Sequence, residues 1–323
     1  MVGVAVAFAV ALAWCILSIW LGPALGFVDR PDDVLKTHRT PAVPLGGVGV
    51  FLGVLAGSLV EGFFSPWLAA AMVVLLVLGL VDDRSGLDPR LRLLVEAVAG
   101  VIVAVGAVPP GFGPVERIAV VVLVVAAVNA VNLFDGLDGL LGSVALVTGV
   151  ALAVLGSLRG VNSVVPLLLA AVCAGVLILN WHPARVFFGD NGAYVVGLLV
   201  VYGMAAVSAG GESGSRLTVA AFLLGVPAFD LLVALLRRRL GGAPLFIGDR
   251  SHLYDQLHDR GMTIRWVALL AAGAQVVWAA VVIGVDAMVG GWPAVGILAV
   301  LAVAVLGGLG ALGFIRPGRR LAG

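Results

Sequence analysis

The chain has 323 residues, 62% of them apolar and only 11% charged, with a mean hydropathy of +1.17 and a net charge of +1. That composition excludes a soluble globular domain; the net charge says little by itself, but neither a nucleic-acid-binding feature nor a polybasic tail stands out, so no nucleic-acid partner is expected. What remains is a protein whose solvent is the lipid bilayer.

A helical span needs about 20 apolar residues. Eleven stretches are candidates, in chain order 2–27, 43–60, 66–81, 93–108, 118–134, 138–158, 163–180, 193–209, 217–236, 266–285 and 293–315. The expected fold class is therefore all-α, a polytopic transmembrane helical bundle of about 10–11 spans. It is expected to form one domain over 1–323, because the links between runs are too short to fold alone. No Lys or Arg precedes the first run, which also exceeds the length of a signal-peptide core, so it is expected to stay as a span. Cys15 and Cys173 both lie within apolar runs and are expected to pack as small hydrophobes.

With an external N-terminus and alternating spans, sixteen of the nineteen Lys and Arg fall on the cytoplasmic side, as does the C-terminus. The exceptions are Arg117, Arg159 and Arg216. Thirteen of the fourteen Asp sort to the same side, and Asp286 alone does not. Topology rules do not require acids to cluster, and a carboxylate near lipid is costly, so the sorting points to a site. Its parts are expected in cytoplasmic loops at about 28–42, 82–92, 132–138, 181–192 and 237–265.

The first loop, DRPDDVLKTHRTPAVPLGG, carries Lys36, His38 and Arg39, all suited to anionic phosphates. The next polar stretch holds Asp82 and Asp83, adjacent carboxylates that need a cation or a shared proton to coexist and that suit general-base work. In NAVNLFDGLDGLLG, Asn129, Asn132, Asp135 and Asp138 recur every third residue, a spacing that predicts one helix face of hard oxygen donors for a divalent cation, a sugar or a base. FFGDNGAYVVG sets Asp190 at a predicted helix start, where its carboxylate and the neighbouring N–H groups suit a metal or a phosphate. The last long loop brings Asp249, Arg250, His252, Tyr254, Asp255 and His258, and Arg237, Arg238 and Arg239 before it suit anionic headgroups. An ion-coupled transporter, the reading from a different class, needs acids near mid-span; apart from Glu96 and Asp230, which lie toward the inner ends, the runs lack them there.

Five of these blocks, in order from Asp29 to about Gly261, resemble the polyprenyl-phosphate N-acetylhexosamine-1-phosphate transferase family, which also contains the phospho-N-acetylmuramoyl-pentapeptide transferase. The resemblance implies a Mg²⁺-dependent enzyme, with Mn²⁺ as a substitute, in which a polyprenyl phosphate attacks a UDP-amino-sugar and releases UMP at the cytoplasmic face of the plasma membrane. N-acetylglucosamine 1-phosphate is the expected group, and the reaction is expected to open cell-envelope polysaccharide synthesis. By the same resemblance Asp82 is the base or an acceptor-side contact, with Asp83 close to the metal, Asp190 a metal ligand and His252 against phosphate. Lys36 then faces phosphate, Asn132 and Asp138 contact the nucleotide and Phe187 lies against the uracil; His38, Asp135 and Arg250 join them as substrate-binding candidates by their chemistry, and a second copy of the chain, in a homodimer, is a candidate partner. The chain departs from the family's His-x-His-His with His252, Leu253, Tyr254 and Asp255, a pattern that resembles members taking deoxy-amino sugars and argues against the muramoyl-pentapeptide branch. Glu96 and Leu35 also differ from the residues common there.

Overall fold

A computed structural model describes residues 1–29, 41–210, 212–242 and 252–315. Among the described residues thirteen α-helices run in order: α1 Val2–Ala24, α2 Gly46–Val60, α3 Pro66–Ser85, α4 Pro89–Gly106, α5 Pro114–Phe134, α6 Leu140–Leu158, α7 Val164–Asn180, α8 Gly189–Ala206, α9 Ser213–Ala221, α10 Gly225–Gly241, α11 Leu253–Asp259, α12 Ile264–Met288 and α13 Gly291–Ala311. Among the described residues there are only isolated β-bridges, Asp29 with Ala42 and Val43 with Val186. Each of the eleven predicted runs coincides with a helix, α9 and α10 together forming one of them. Seven of these units are long and apolar enough to cross a membrane, while α2 and α7 are apolar but shorter.

The helix starts follow local chemistry. Ser65 accepts the Leu68 N–H before Pro66, Asp88 accepts the Arg90 N–H before Pro89, and Thr263 accepts the Trp266 N–H. A proline in the first turn forfeits no helical hydrogen bond, and a short oxygen-bearing side chain before it satisfies an orphan donor.

Between α9 and α10 a 3₁₀ turn at Phe222–Leu224 interrupts the span, and Gln275 of α12 fills the gap. Its Oε1 accepts the Val226 N–H at 2.9 Å, while its Nε2 donates to Leu223 O at 2.8 Å and Thr148 Oγ1 at 3.0 Å. A broken backbone in an apolar medium needs such a partner, since no water is there to replace it.

Helix α8 is the hub, buried at every residue from Asn191 to Ala205. It packs on α2, α3, α5, α6 and α7. A helix that is apolar all round belongs in the centre of a bundle. By contrast α13 buries only Ala294 and Leu298, and residues such as Trp20, Ile118, Val277 and Val300 form an exposed apolar surface that suits lipid. The hub is approached very closely at Gly79 of α3, where a Cβ would lie 2.2 Å from the Asn191 Cα. Gly47 of α2 approaches the same turn.

The predicted loops prove narrower than the sequence pattern suggests. Asp82 and Asp83 stand inside the last turn of α3, Asn132 is still in α5, Asp190 already belongs to α8, and much of 237–265 is helix in α10, α11 and the start of α12. The site is therefore assembled from helix ends together with the turn that joins α5 to α6.

Candidate active site

Asp83 serves α8 as a cap supplied from another helix. Phe188, which precedes α8, offers no side-chain cap, and Asp83 replaces it: Oδ1 accepts the Asp190 N–H at 2.9 Å, and Oδ2 accepts the Asn191 N–H at 3.2 Å and its side-chain Nδ2 at 2.6 Å. A carboxylate at a helix N-terminus answers both the unpaired N–H groups and the positive end of the dipole. The close approach at Gly79 is what brings the two backbones near enough for this. Asp190 sits in that first turn, beside Asp82 and Asp83.

Asp82 has a different environment. Its Oδ1 accepts the Leu87 N–H at 2.6 Å, and its Oδ2 takes the Arg92 guanidinium at 3.0 Å and the Tyr194 hydroxyl at 2.5 Å. Tyr194 lies one turn along α8 from Asp190, so Asp82 ties α3, α4 and α8 together. Like Asp83, it accepts three hydrogen bonds and borders the cavity described below, but one of its donors is a charged guanidinium that already balances its charge.

The Asn/Asp row does not share one helix face. α5 ends at Phe134, and Asp135, Gly136, Leu137 and Asp138 form a turn into α6. Asn129 faces away, donating to Glu96 and to Val125 O. Asp138 is fixed by His182 Nδ1 at 2.7 Å and by the Ala184 N–H at 3.0 Å. Asn180 holds both sides of this corner, accepting the Gly139 N–H and donating to Val186 O. Asp135 is half-buried, and its side chain has no hydrogen-bond partner among the described residues. Burial first, and then the charges of Asp190, Asp83 and Asp138, hold its carboxyl well above the usual carboxylate range.

These groups share one cavity of about 620 Å³. Its walls include Asp82, Asp83, Asn132, Asp135, Asp138, Phe187 and Asp190, with Asp29 and Arg84 among the other lining residues. Acids outnumber bases among the described lining residues by six to one. The donor set is hard oxygen, it carries excess negative charge, and Asp135 is unpaired, so the cavity fits a divalent cation such as Mg²⁺ and a phosphate bound through it. Among the described residues no three side chains are drawn together as a finished metal cage. Mg²⁺ typically keeps several waters and is bound through one or two carboxylates plus substrate phosphates, so a finished cage is not required.

His252 is brought to the same end of the bundle but not into the described cavity wall. It is buried, with Nδ1 2.6 Å from Asp230 Oδ2. Tyr254 stacks on it with ring centroids 5.4 Å apart, packs edge-on to Phe134, and donates its hydroxyl to Leu133 O at 2.8 Å. One ring thus separates His252 from the segment that carries Asn132 and Asp135. Lys36, His38, Arg39, Asp249 and Arg250 lie outside the described residues.

The partners absent from the motif reading are Arg92, Tyr194, His182, Asn180 and Asp230. Only for Arg92 is there a sequence signal, a cation ten residues from Asp82 across a short turn. Both acids that a transporter would need are committed, Glu96 to Asn129 and Asp230 to His252.

Residues 65–209, which contain α3 to α8 and most of the cavity, match the model of glycosyl transferase family 4. A decaprenyl-phosphate N-acetylglucosaminephosphotransferase of Mycobacterium leprae is 32% identical over 76% of this chain and 75% of its own length. The protein of that name from Mycobacterium tuberculosis is 30% identical, covering 79% and 76%. An undecaprenyl-phosphate alpha-N-acetylglucosaminyl 1-phosphate transferase of Salmonella typhi is 27% identical, covering 80% and 76%. With its acidic cavity at the converging ends of α3, α5 and α8, and with relatives of this identity along most of its length, the chain belongs to glycosyl transferase family 4.

Proposed function

We propose that this protein transfers N-acetylglucosamine 1-phosphate from its UDP conjugate to a polyprenyl phosphate, releasing UMP, as the first membrane step of an envelope polysaccharide. The observation that carries the proposal is the convergence of Asp83, Asp135, Asp138 and Asp190, from three separate stretches of sequence, on one cavity. The names of the relatives give the sugar and the lipid class.

In this reading Asp83, Asp135 and Asp190 hold Mg²⁺, or Mn²⁺ in its place, which when bound neutralises the diphosphate and the departing UMP. Asn132 and Asp138 orient the nucleotide, and the half-buried Phe187 at the rim offers its ring to the uracil. Asp82, clamped by Arg92 and Tyr194, keeps the end of α3 in place so that Asp83 stays aimed at α8 and the cavity. Lys36 is assigned to the phosphates by resemblance, and His38 and Arg250 by their capacity to carry positive charge. The charge sorting supports a cavity on the cytoplasmic side of this multi-pass protein, and the proposed reaction assigns it to the plasma membrane.

The test is release of UMP from UDP-N-acetylglucosamine by purified protein given polyprenyl phosphate and Mg²⁺. Asp190→Asn should lower turnover by at least about 100-fold while the protein remains folded, because an uncharged amide replaces a carboxylate at the cation. Absence of UMP with every UDP-amino-sugar tried, deoxy-amino sugars included, would overturn the proposal. Release only from a deoxy-amino sugar would change the donor and keep the reaction.

A further inference from the structure

Asp230 lies in α10 with 0% of its surface exposed, and His252, which it touches, is 3% exposed. A carboxylate buried this deeply needs donors on both oxygens, and it has them: Oδ2 meets His252 Nδ1 at 2.6 Å and Oδ1 accepts the Leu253 N–H at 2.6 Å. One acid therefore fixes both the imidazole and the first turn of α11. Tyr254, parallel to the imidazole within 7°, fixes the plane of the ring from its face.

We infer that Asp230 is a positioning residue of the transfer, one that keeps the ring proton of His252 on Nδ1 and so leaves Nε2 as a bare acceptor. The inference rests on the transferase reading, in which His252 serves the phosphates. An ionised carboxylate can only accept, so a neutral imidazole must present N–H to it and its other nitrogen must carry the lone pair. That is the arrangement an imidazole needs if Nε2 is to take the hydroxyl proton of the acceptor phosphate as its oxygen bonds to the sugar-linked phosphorus, and to pass that proton to the phosphate of the departing UMP. Without the acid, the ring would populate the other tautomer freely and Nε2 would often be blocked by its own hydrogen.

A scaffold role alone predicts something different. Asp230→Asn keeps an oxygen for the Leu253 N–H, so α11 stays attached, but its amide now donates to Nδ1 and moves the ring hydrogen to Nε2. The stacked Tyr254 still holds the plane. The variant should therefore fold, bind UDP-sugar with a KM within about threefold of the parent, and lose kcat by about 10- to 100-fold. In a His252→Gln background the same Asp230→Asn change should cost nothing further, since its effect passes through the imidazole.

The direct readout is nitrogen-15 NMR of histidine-labelled protein, with the His252 signal assigned by its loss in His252→Gln. The parent should show the Nδ1–H tautomer, and Asp230→Asn the Nε2–H tautomer. An Nε2–H ring in the parent would overturn the inference whether or not the protein releases UMP. So would equal losses from Asp230→Asn in the parent and the His252→Gln background, or full activity of Asp230→Asn. A parent that never releases UMP but shows the Nδ1–H ring overturns the transferase reading instead.

Discussion

Two neighbouring carboxylates at the end of α3 have separate tasks because one turn of helix aims them at different partners. Asp82 points at Arg92 and Tyr194, and Asp83 at the start of α8. As a pair they are legible in the sequence as an acid-acid motif, but nothing in the spacing says which one meets the cation of Arg92 and which one caps α8. The distinction depends on Arg92 and on Tyr194, 112 residues from Asp82 along the chain. Asp135 is the complement, an acid without a hydrogen-bonding partner among the described residues. Because its carboxyl titrates above the usual range, the folded protein binds its proton more tightly than the unfolded chain does. Its contribution to stability is therefore present at acid pH and is lost as pH rises from about 4, the ordinary carboxylate value, through the elevated folded one. In a chelator, Asp135→Asn should melt higher than the parent at neutral pH, and the gap should close toward pH 4. Adding Mg²⁺ should raise the parent and leave the variant nearly unmoved, and turnover of the variant should fall at least about tenfold. Thermal scans across pH with and without Mg²⁺ decide this; a variant that melts lower at neutral pH would show that Asp135 has a stabilising partner instead.

The apolar runs were readable because lipid imposes one rule on every span, and so each predicted run meets a helix. Their ends were not readable to the residue. The row from Asn129 to Asp138 reads as one face by its spacing of three, yet Gly136 and Gly139 permit the turn that splits it, and Gly139 adopts φ +76°. At Gly136 a Cβ would come within 2.4 Å of the Tyr254 ring and hydroxyl, so the turn and α11 fit only through the missing side chain. The contact between Asp230 and His252 crosses two elements, and no periodicity in the sequence encodes it. Gly79 is a comparable case for α3 and α8, and it can be tested. Gly79→Ala would press a methyl against the backbone of Asn191, which cannot rotate away. The cost should be about 1–3 kcal/mol or more, with turnover falling as Asp83 withdraws from the α8 N-terminus. Gly284→Ala on α12 meets nothing within 4 Å and should change neither melting nor turnover. Equal behaviour of the two variants would mean that the α3–α8 approach is not what aligns the acids.

At the scale of the whole molecule, charge is distributed between two ends of a bundle whose middle is apolar. The carboxylate cavity occupies one end. At the other, the three arginines that break the charge rule are engaged in the structure: Arg159 pairs with Asp286 at 3.0 Å and reaches Val207 O and Arg216 O, Arg216 donates to Ala209 O, and Arg117 to Phe112 O. They join helix ends, which explains why basic residues stand there despite the bias against them. The proposed orientation rests on the same division and has a simple test. Ser85, exposed beside the cavity, and Asn162, exposed between α6 and α7, lie at opposite ends, while the two native thiols, Cys15 and Cys173, are buried and should not react. In intact cells a membrane-impermeant maleimide should label Asn162→Cys and spare Ser85→Cys, and permeabilisation should expose Ser85→Cys. The reverse pattern would set the acidic cavity outside the cell, away from cytosolic nucleotide-sugars, and the proposed donor could not reach it.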